Sequence, residues 1–366
     1  MRTRATPTGR GTVHIEGTKH WAGLTGWADF WLLTARPATK DGELGRDIEF
    51  YVADVTQPAQ HIEVEEVFSN LGLYMIPYGR NRLDLEVPAV QQLQPHTTGI
   101  KMMLDILHRS RLQFPGMAMG FLRRMRDEAQ HHAETRYVGG QPLAGYDQVR
   151  ARLAKLQADA TICGAMCLYT SENAGIENDL SGMSLQANAF KTTMSDAMHE
   201  AAQSFLQMSG AVGYRQDHLA GRSVTDSRPF QIFEGSNDVL YEQVADAVLK
   251  GMRRAKISNA GDYLAEREPL TENAADSLRT LFDFDVDTSI PQRKAVHLGR
   301  GLAKAVALGA VIGLADRGYP DELITQAIDS LRGRIREDLA GFHAPESPVL
   351  VQGAHEAPSW LRYVGA

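Results

Sequence analysis

The sequence predicts an α+β protein: a small antiparallel β domain in residues 1–94, an antiparallel four-helix bundle in 95–255, and a helical C-terminal extension in 256–366. Two changes along the chain carry this reading. Up to about Val90, short runs rich in β-branched and aromatic residues alternate with turn residues; after Pro95, long Ala-, Leu- and Met-rich stretches repeat at helical spacing. A polar, charge-mixed stretch at 257–273 marks the second boundary.

In the first region, strands are expected at "TVHIEG", "ADFWLLTAR", "IEFYVADV", "HIEVEEV" and "NRLDLEV", where apolar and polar positions partly alternate. In the second, helices are expected over 98–135, 145–174, 180–209 and 237–252, with few β-branched residues to oppose them. The extension reads as further helices over 274–282, 292–315 and 320–339.

Of the 366 residues, 43% are hydrophobic and 23% charged, as in a globular protein with packed cores. A formal net charge of −7, with acids and bases nearly balanced in the extension, argues against a nucleic-acid partner, which would need concentrated Lys and Arg. No basic, apolar leader pattern is present, and the longest uncharged apolar run, 305–315, falls short of the roughly 20 residues that span a bilayer. A cytoplasmic protein without a membrane span is expected. The two cysteines, Cys163 and Cys167, share a helical stripe with Val149, Leu153, Leu156 and Ala160 and read as core residues rather than metal ligands.

The strongest chemical signal is "TDSRPFQIFEGSNDVLYEQVADAVLKG", which puts Glu234 between an apolar run and a helix start. Phe230, Ile232 and Phe233 would desolvate its carboxylate, while free N–H groups at the helix beginning near Asn237 favour negative charge. A ligand closing over the carboxylate would expel water and strengthen it as a base toward a weakly acidic C–H. By spacing alone, the same pattern also describes an acid near a helix start. Upstream, Gln207 opens "QMSGAVGY", whose Gly210 and Gly213 would let backbone approach a ligand closely.

Taken together, the Gln-x-x-Gly-x-x-Gly-Tyr block, Asp226 and the Phe-Glu-Gly-Ser block resemble the C-terminal signature of acyl-CoA dehydrogenases. Three further blocks resemble that family in order: "EGTKHWAGLTGWADFWLLTAR" (middle β domain), "RSRLQFPGMAMGFLRRMRDEA" (first bundle helix) and "ETRYVGGQPLAGYDQV" (the turn that follows). The resemblance implies an FAD-dependent enzyme of fatty-acid metabolism that desaturates an acyl-CoA, with Glu234 as the base and flavin N5 as hydride acceptor. It implies FAD contacts from Trp21, Ala22, Gly23, Arg136, Gln148, Gln207, Gly210, Ala211, Ser236, Asn237 and Asp238. Substrate contacts are implied for Arg111 and Gly235. Also implied are a homo-oligomer in which Arg136 reaches a neighbouring subunit's FAD pyrophosphate, and an electron-transfer flavoprotein as acceptor.

The sequence departs from the family pattern in several places. Trp21-Ala22-Gly23 replaces Trp-Ile-Thr/Ser, so the hydroxyl that would meet flavin N5 is absent. Gly139 stands at an aromatic position, one extra residue precedes Gln148, Thr225 replaces the Arg before Asp226, and Ser236 stands at the Thr position. The family's N-terminal helical domain and the flavin loop before the first β segment have no counterpart, which is read as truncation in preference to supply by another polypeptide. FAD binding by the chain alone is expected to be weak. A flavin monooxygenase of the same fold needs no glutamate at 234 and is the competing enzyme class. A catalytically silent partner subunit is a third reading, and DNA-binding alkylation-response relatives are disfavoured by the balanced charge.

Overall fold

The structure is a computed structural model that describes residues 2–287, 289–345, 349–353 and 359–364. Its N-terminal part is a seven-stranded sheet: β1 (Arg4–Pro7), β2 (Thr12–Gly23), β3 (Phe30–Pro37), β4 (Glu49–Asp54), β5 (Glu63–Val67), β6 (Tyr78–Pro88) and β7 (Gln92–Leu93), in the order β5-β6-β2-β1-β3-β4-β7. The alternation read from sequence corresponds to burial of Val13, Ile15, Leu33, Ala35, Leu83, Leu85 and Val87 in one small core. The sheet is not wholly antiparallel. β1 lies between β2 and β3 and runs parallel to β3 at Arg4↔Arg36, because the chain enters β3 in the same direction as β1. β2 pairs with β6 from Thr12↔Pro88 to Gly23↔Tyr78, interrupted by a bulge between His20 and Ala22 that puts Trp21 in a left-handed conformation, φ 58°.

The helices are α1 (Gly99–Leu112), α2 (Phe114–Thr135), α3 (Asp147–Asn173), α4 (Ser184–Ser209), α5 (Leu219–Ser227), α6 (Asn237–Ala255), α7 (Ala260–Glu266), α8 (Ala275–Leu281), α9 (Gln292–Ile312) and α10 (Asp321–His343). The single helix expected over 98–135 is two, divided at Gln113, because Pro115 cannot donate to a continuing hydrogen-bond ladder. A two-stranded hairpin, β8 (Tyr137–Val138) with β9 (Gln141–Pro142), turns the chain at Gly139 and Gly140, both at positive φ. The polar stretch 257–273 contains α7, whose N-cap Asn259 side chain accepts from the Asp262 N–H at 3.0 Å.

Lys191 on α4 lies over the Phe114 ring of α2, and His132 of α2 bonds the Met208 carbonyl at 3.1 Å, so these two helices run parallel. The pairs Arg152–Ser204 and Asn188–Gln243 set α3 and α6 antiparallel to α4. Packing shows no break at 255/256: one core runs from Leu112 to Phe342, and α9 lies against α3, α4, α6 and α10. It lies very close. A Cβ on Gly299 would sit 1.9 Å from the Tyr241 carbonyl oxygen of α6, and one on Gly309 2.1 Å from that of Leu270. The segment Gln292–Arg317 is long and apolar enough to cross a membrane, but 72% of its apolar window is buried inside this core, which accounts for its composition. Arg334 of α10 pairs with Asp159 of α3, a carboxylate that is 0% exposed, so a charged clasp also joins the last helix to the bundle. Cys163 is buried and Cys167 half-buried on the expected stripe, and the Cys163 thiol donates to the Pro115 carbonyl.

Candidate active site

The segment before α6 folds as a 3-10 turn over Arg228–Gln231 and then turns sharply at Glu234, φ 57°, and Gly235, φ 96°. Left-handed backbone at a non-glycine residue is strained and persists only where its surroundings enforce it. Here two buried cations do so. Arg111 of α1 donates its Nε to the Glu234 carbonyl at 2.9 Å and its Nη1 to Asn188 Oδ1 at 2.8 Å. Lys191 of α4, with 0% exposure, donates Nζ to the Gly235 carbonyl and to Asn237 Oδ1, both at 2.9 Å. A Cβ at Gly235 would come within 3.2 Å of Arg111 Nη2 and 3.0 Å of Leu240, so glycine suits this approach as well as the dihedral.

Behind the turn is a polar network. Asn237 donates to Asp196 Oδ1 (2.7 Å) and Ser195 Oγ (3.0 Å), Gln231 donates to Asp196 Oδ1 (2.6 Å), and the Tyr241 hydroxyl donates to Asp196 Oδ2 (2.6 Å). Burial, then the Asp196 carboxylate, pushes the Tyr241 phenol well above its ordinary range. Burial brings the Lys191 ammonium down to about 8, with Arg111 adding to the fall while Asp196 and Glu234 oppose it. Arg300 of α9 pairs with Asp238 at 3.0 Å and lies over the Tyr241 ring, so the extension reaches the first turn of α6.

In contrast to its backbone, the Glu234 side chain is unengaged: Oε2 is buried and has no hydrogen-bond partner. Phe233 and Phe230 pack against Phe114 as the apolar pattern implies, whereas Ile232 is exposed. Ile232 and Phe233 instead line a cavity of about 510 Å³ together with Trp21, Leu71, Leu73 and Tyr78, between the sheet and the helices. Trp21 is 65% exposed and rests on Phe68, ring centroids 4.5 Å apart. Tyr78 pairs with Gly23 in the strand register, its ring 3.5 Å from where a Gly23 Cβ would be, and burial followed by the Glu234 charge raises its phenol above the usual range. The loop carrying Leu73 is tied to the helices by Asp226, whose carboxylate accepts from the Leu73 N–H at 2.7 Å; a Cβ at Gly72 would meet the Thr225 carbonyl at 2.6 Å.

Of the residues singled out in sequence, Trp21, Arg111, Glu234, Gly235 and Asn237 therefore gather around one turn and one cavity. Ala22 and Gly23 follow on the same strand, Ser236 is exposed at the α6 N-cap without a capping bond, and Asn237 turns into the buried network. The others lie elsewhere. Gln207 is roughly 24 Å of helix beyond Lys191, at about 1.5 Å per residue. There Gln148 and Gln207 line a shallow groove, Gly210 takes φ 63° with open space beside it, and Ala211 and Arg136 are exposed.

Comparison with known proteins agrees with this geometry. Residues 97–249 match the model of the acyl-CoA dehydrogenase C-terminal domain. This part of the chain is thus similar to the acyl-CoA dehydrogenase C-terminal domain. It is 24% identical over 268 residues to a mouse mitochondrial very long-chain specific acyl-CoA dehydrogenase, covering 71% of this chain and 40% of that one. It is 25% identical to a Bacillus subtilis acyl-CoA dehydrogenase (63% and 59% covered) and 27% to a Geobacter metallireducens cyclohexane-1-carbonyl-CoA dehydrogenase (68% and 64%). It thus spans 40% to 64% of the length of these relatives. A Bacillus anthracis acyl-CoA dehydrogenase solved with FAD superposes with a TM-score of 0.70 at 16% identity, over 94% of this chain and 67% of that one. A Mycobacterium abscessus probable acyl-CoA dehydrogenase gives 0.60 at 23%, over 68% and 64%. The first of these carries the likeness of fold into the extension, where the motifs did not reach.

Sequence reasoning passed over Lys191, Tyr78 and Arg300. Lys191 alone left a visible trace: a lone cation in the otherwise uncharged run "NAFKTTM" of α4.

Proposed function

We propose that the chain carries the base-bearing part of an FAD-dependent acyl-CoA dehydrogenase, with Glu234 removing the proton α to the thioester. The observation that carries this reading is the Glu234 carboxylate, whose buried Oε2 lacks a partner and whose charge reaches Tyr78 in the wall of an apolar cavity that ends at the preceding residue, Phe233. A carboxylate left unsatisfied costs stability, so its retention points to a proton acceptor rather than a structural acid. Desaturation removes a proton and a hydride together, and bound FAD supplies the hydride acceptor that no side chain can provide.

The residues present suit that cofactor. The exposed Trp21 ring offers a flat apolar surface, Gly210 leaves room at a positive-φ turn, and the exposed Arg136 guanidinium suits a pyrophosphate. Gln148, Gln207, Ala211, Ser236 and the backbone N–H groups of Ala22 and Gly23 complete the proposed contacts. Asp238 would have to share its carboxylate with Arg300. Arg111 holds the base through its main chain, so its contribution to the substrate is indirect in this geometry. A homo-oligomer in the cytoplasm that passes electrons to an electron-transfer flavoprotein completes the proposal.

The decisive variant is Glu234→Gln in the complete, FAD-loaded enzyme, mixed anaerobically with an acyl-CoA. Flavin bleaching should slow by about 10²- to 10⁴-fold, the usual cost of removing a positioned base. Bleaching at the wild-type rate would eliminate Glu234 as the base, and oxygen-dependent hydroxylation would point to the monooxygenase class.

A further inference from the structure

We propose that Lys191 is a positioning residue for Glu234: its buried ammonium holds the Gly235 carbonyl and so keeps the strained turn that presents the carboxylate. This rests on the reading of Glu234 as the base. Lys191 is one of the largest side chains with essentially no exposure, and its position in α4 leaves the ammonium nowhere to reach solvent. A lysine is costly to bury and is retained where its charge is matched. Its two bonds go to groups on either side of Ser236, the Gly235 carbonyl and Asn237 Oδ1. Arg111 holds the preceding carbonyl, that of Glu234. Two successive peptide oxygens are thus each fixed by a cation from a different helix. The left-handed pair Glu234–Gly235 follows from that clamp, since each oxygen must face into the bundle.

The same ammonium acts on the carboxylate electrostatically. The charged groups facing Lys191 are Arg111 of α1, Asp196 of its own helix and Glu234. Tyr241 of α6 and Arg300 of α9 in turn face Asp196. Lys191 is accordingly the group whose loss would alter the geometry of the turn that carries the base.

Lys191→Met and Lys191→Arg in the complete FAD-loaded enzyme test this. A buried methionine fills much of the volume but leaves the Gly235 carbonyl and Asn237 Oδ1 without the Lys191 donor, so Lys191→Arg, which keeps the cation, is the second variant that separates a lost clamp from lost folding. In Lys191→Met, kcat should fall about 10²-fold, as for a reacting group displaced by about 1 Å, with KM changed less than about threefold. Lys191→Arg, which keeps a cation at this place, should recover part of the kcat. A kcat within about twofold of wild type overturns the assignment. Failure of the base reading looks different, because Glu234→Gln would then be active whatever Lys191 does. A cofactor-independent readout is the Nζ resonance of Lys191 in the full chain. Its titration midpoint, near 8 in the wild type, should fall in Glu234→Gln, since the Glu234 charge raises it. An unchanged midpoint would show that the two groups do not interact and would overturn the proposal.

Discussion

Along α4, the half bearing Lys191, Ser195 and Asp196 is occupied by the chain's own groups, while the end at Gln207, Gly210 and Ala211 offers exposed side chains and open turns. The first end spends buried polar bonds to hold a strained turn in advance of any ligand. The second leaves Gln207, Gly210 and Ala211 facing outward, where the proposed cofactor contacts lie. Chemistry that depends on sub-ångström placement sits at the rigid end, and the residues proposed for cofactor affinity sit at the open one.

If this division is right, damage at the two ends should read out differently. Asp196→Ala strips the acceptor from Gln231, Asn237 and Tyr241 at once, so unfolding free energy should fall by about 3 kcal/mol in urea titration. A loss below about 1 kcal/mol would mean that the network is not what holds this end together.

A smaller effect should appear with pH. Burial depresses Lys191 from 10.5 to about 8, so between those values the unfolded chain holds a proton that the folded chain has released. Wild-type stability should therefore rise relative to Lys191→Met as pH climbs from about 8 to 10.5, by no more than about 3 kcal/mol and by less where solvent screens the charge, with the burial penalty fully present below 8. A constant difference across that window would show an ammonium that keeps its proton in both states. The smallest effect belongs to the open end. Arg136→Ala should leave unfolding within about 0.5 kcal/mol of wild type, as for most surface changes. It should nevertheless weaken FAD binding to the complete enzyme more than about threefold, or about 0.7 kcal/mol.

Sequence pattern was informative where one local rule acts. Alternation revealed β2, β3, β4 and β6, helical periodicity revealed α3, α4, α6 and α9, and the loop-to-helix junction drew attention to Glu234. It failed where partners are distant or belong to the backbone. The parallel contact of β1 with β3 depends on how the sheet closes, and the break at Gln113 on a single proline inside a strong helical run. Lys191 was invisible as a site residue because what it binds is the Gly235 carbonyl, and no side-chain pattern records a carbonyl's direction. The packing of α9 and α10 onto the bundle was hidden for a related reason: the polar stretch before α8 looks like a linker, and helical periodicity does not record which backbone the glycines of α9 approach.

That close seat of α9 has a bearing on how the protein is made. Gly299 lies on the Tyr241 carbonyl, so the flank of α6 that α9 covers stays bare until residues near 312 have emerged. At about 5–20 residues per second, the ribosome leaves α6 uncovered for about 3–11 s after its last residue is joined. During that interval Val244, Ala245 and Val248 lack the wall they later pack against, which makes the nascent chain a client for chaperones that shield apolar helices before the last two helices arrive.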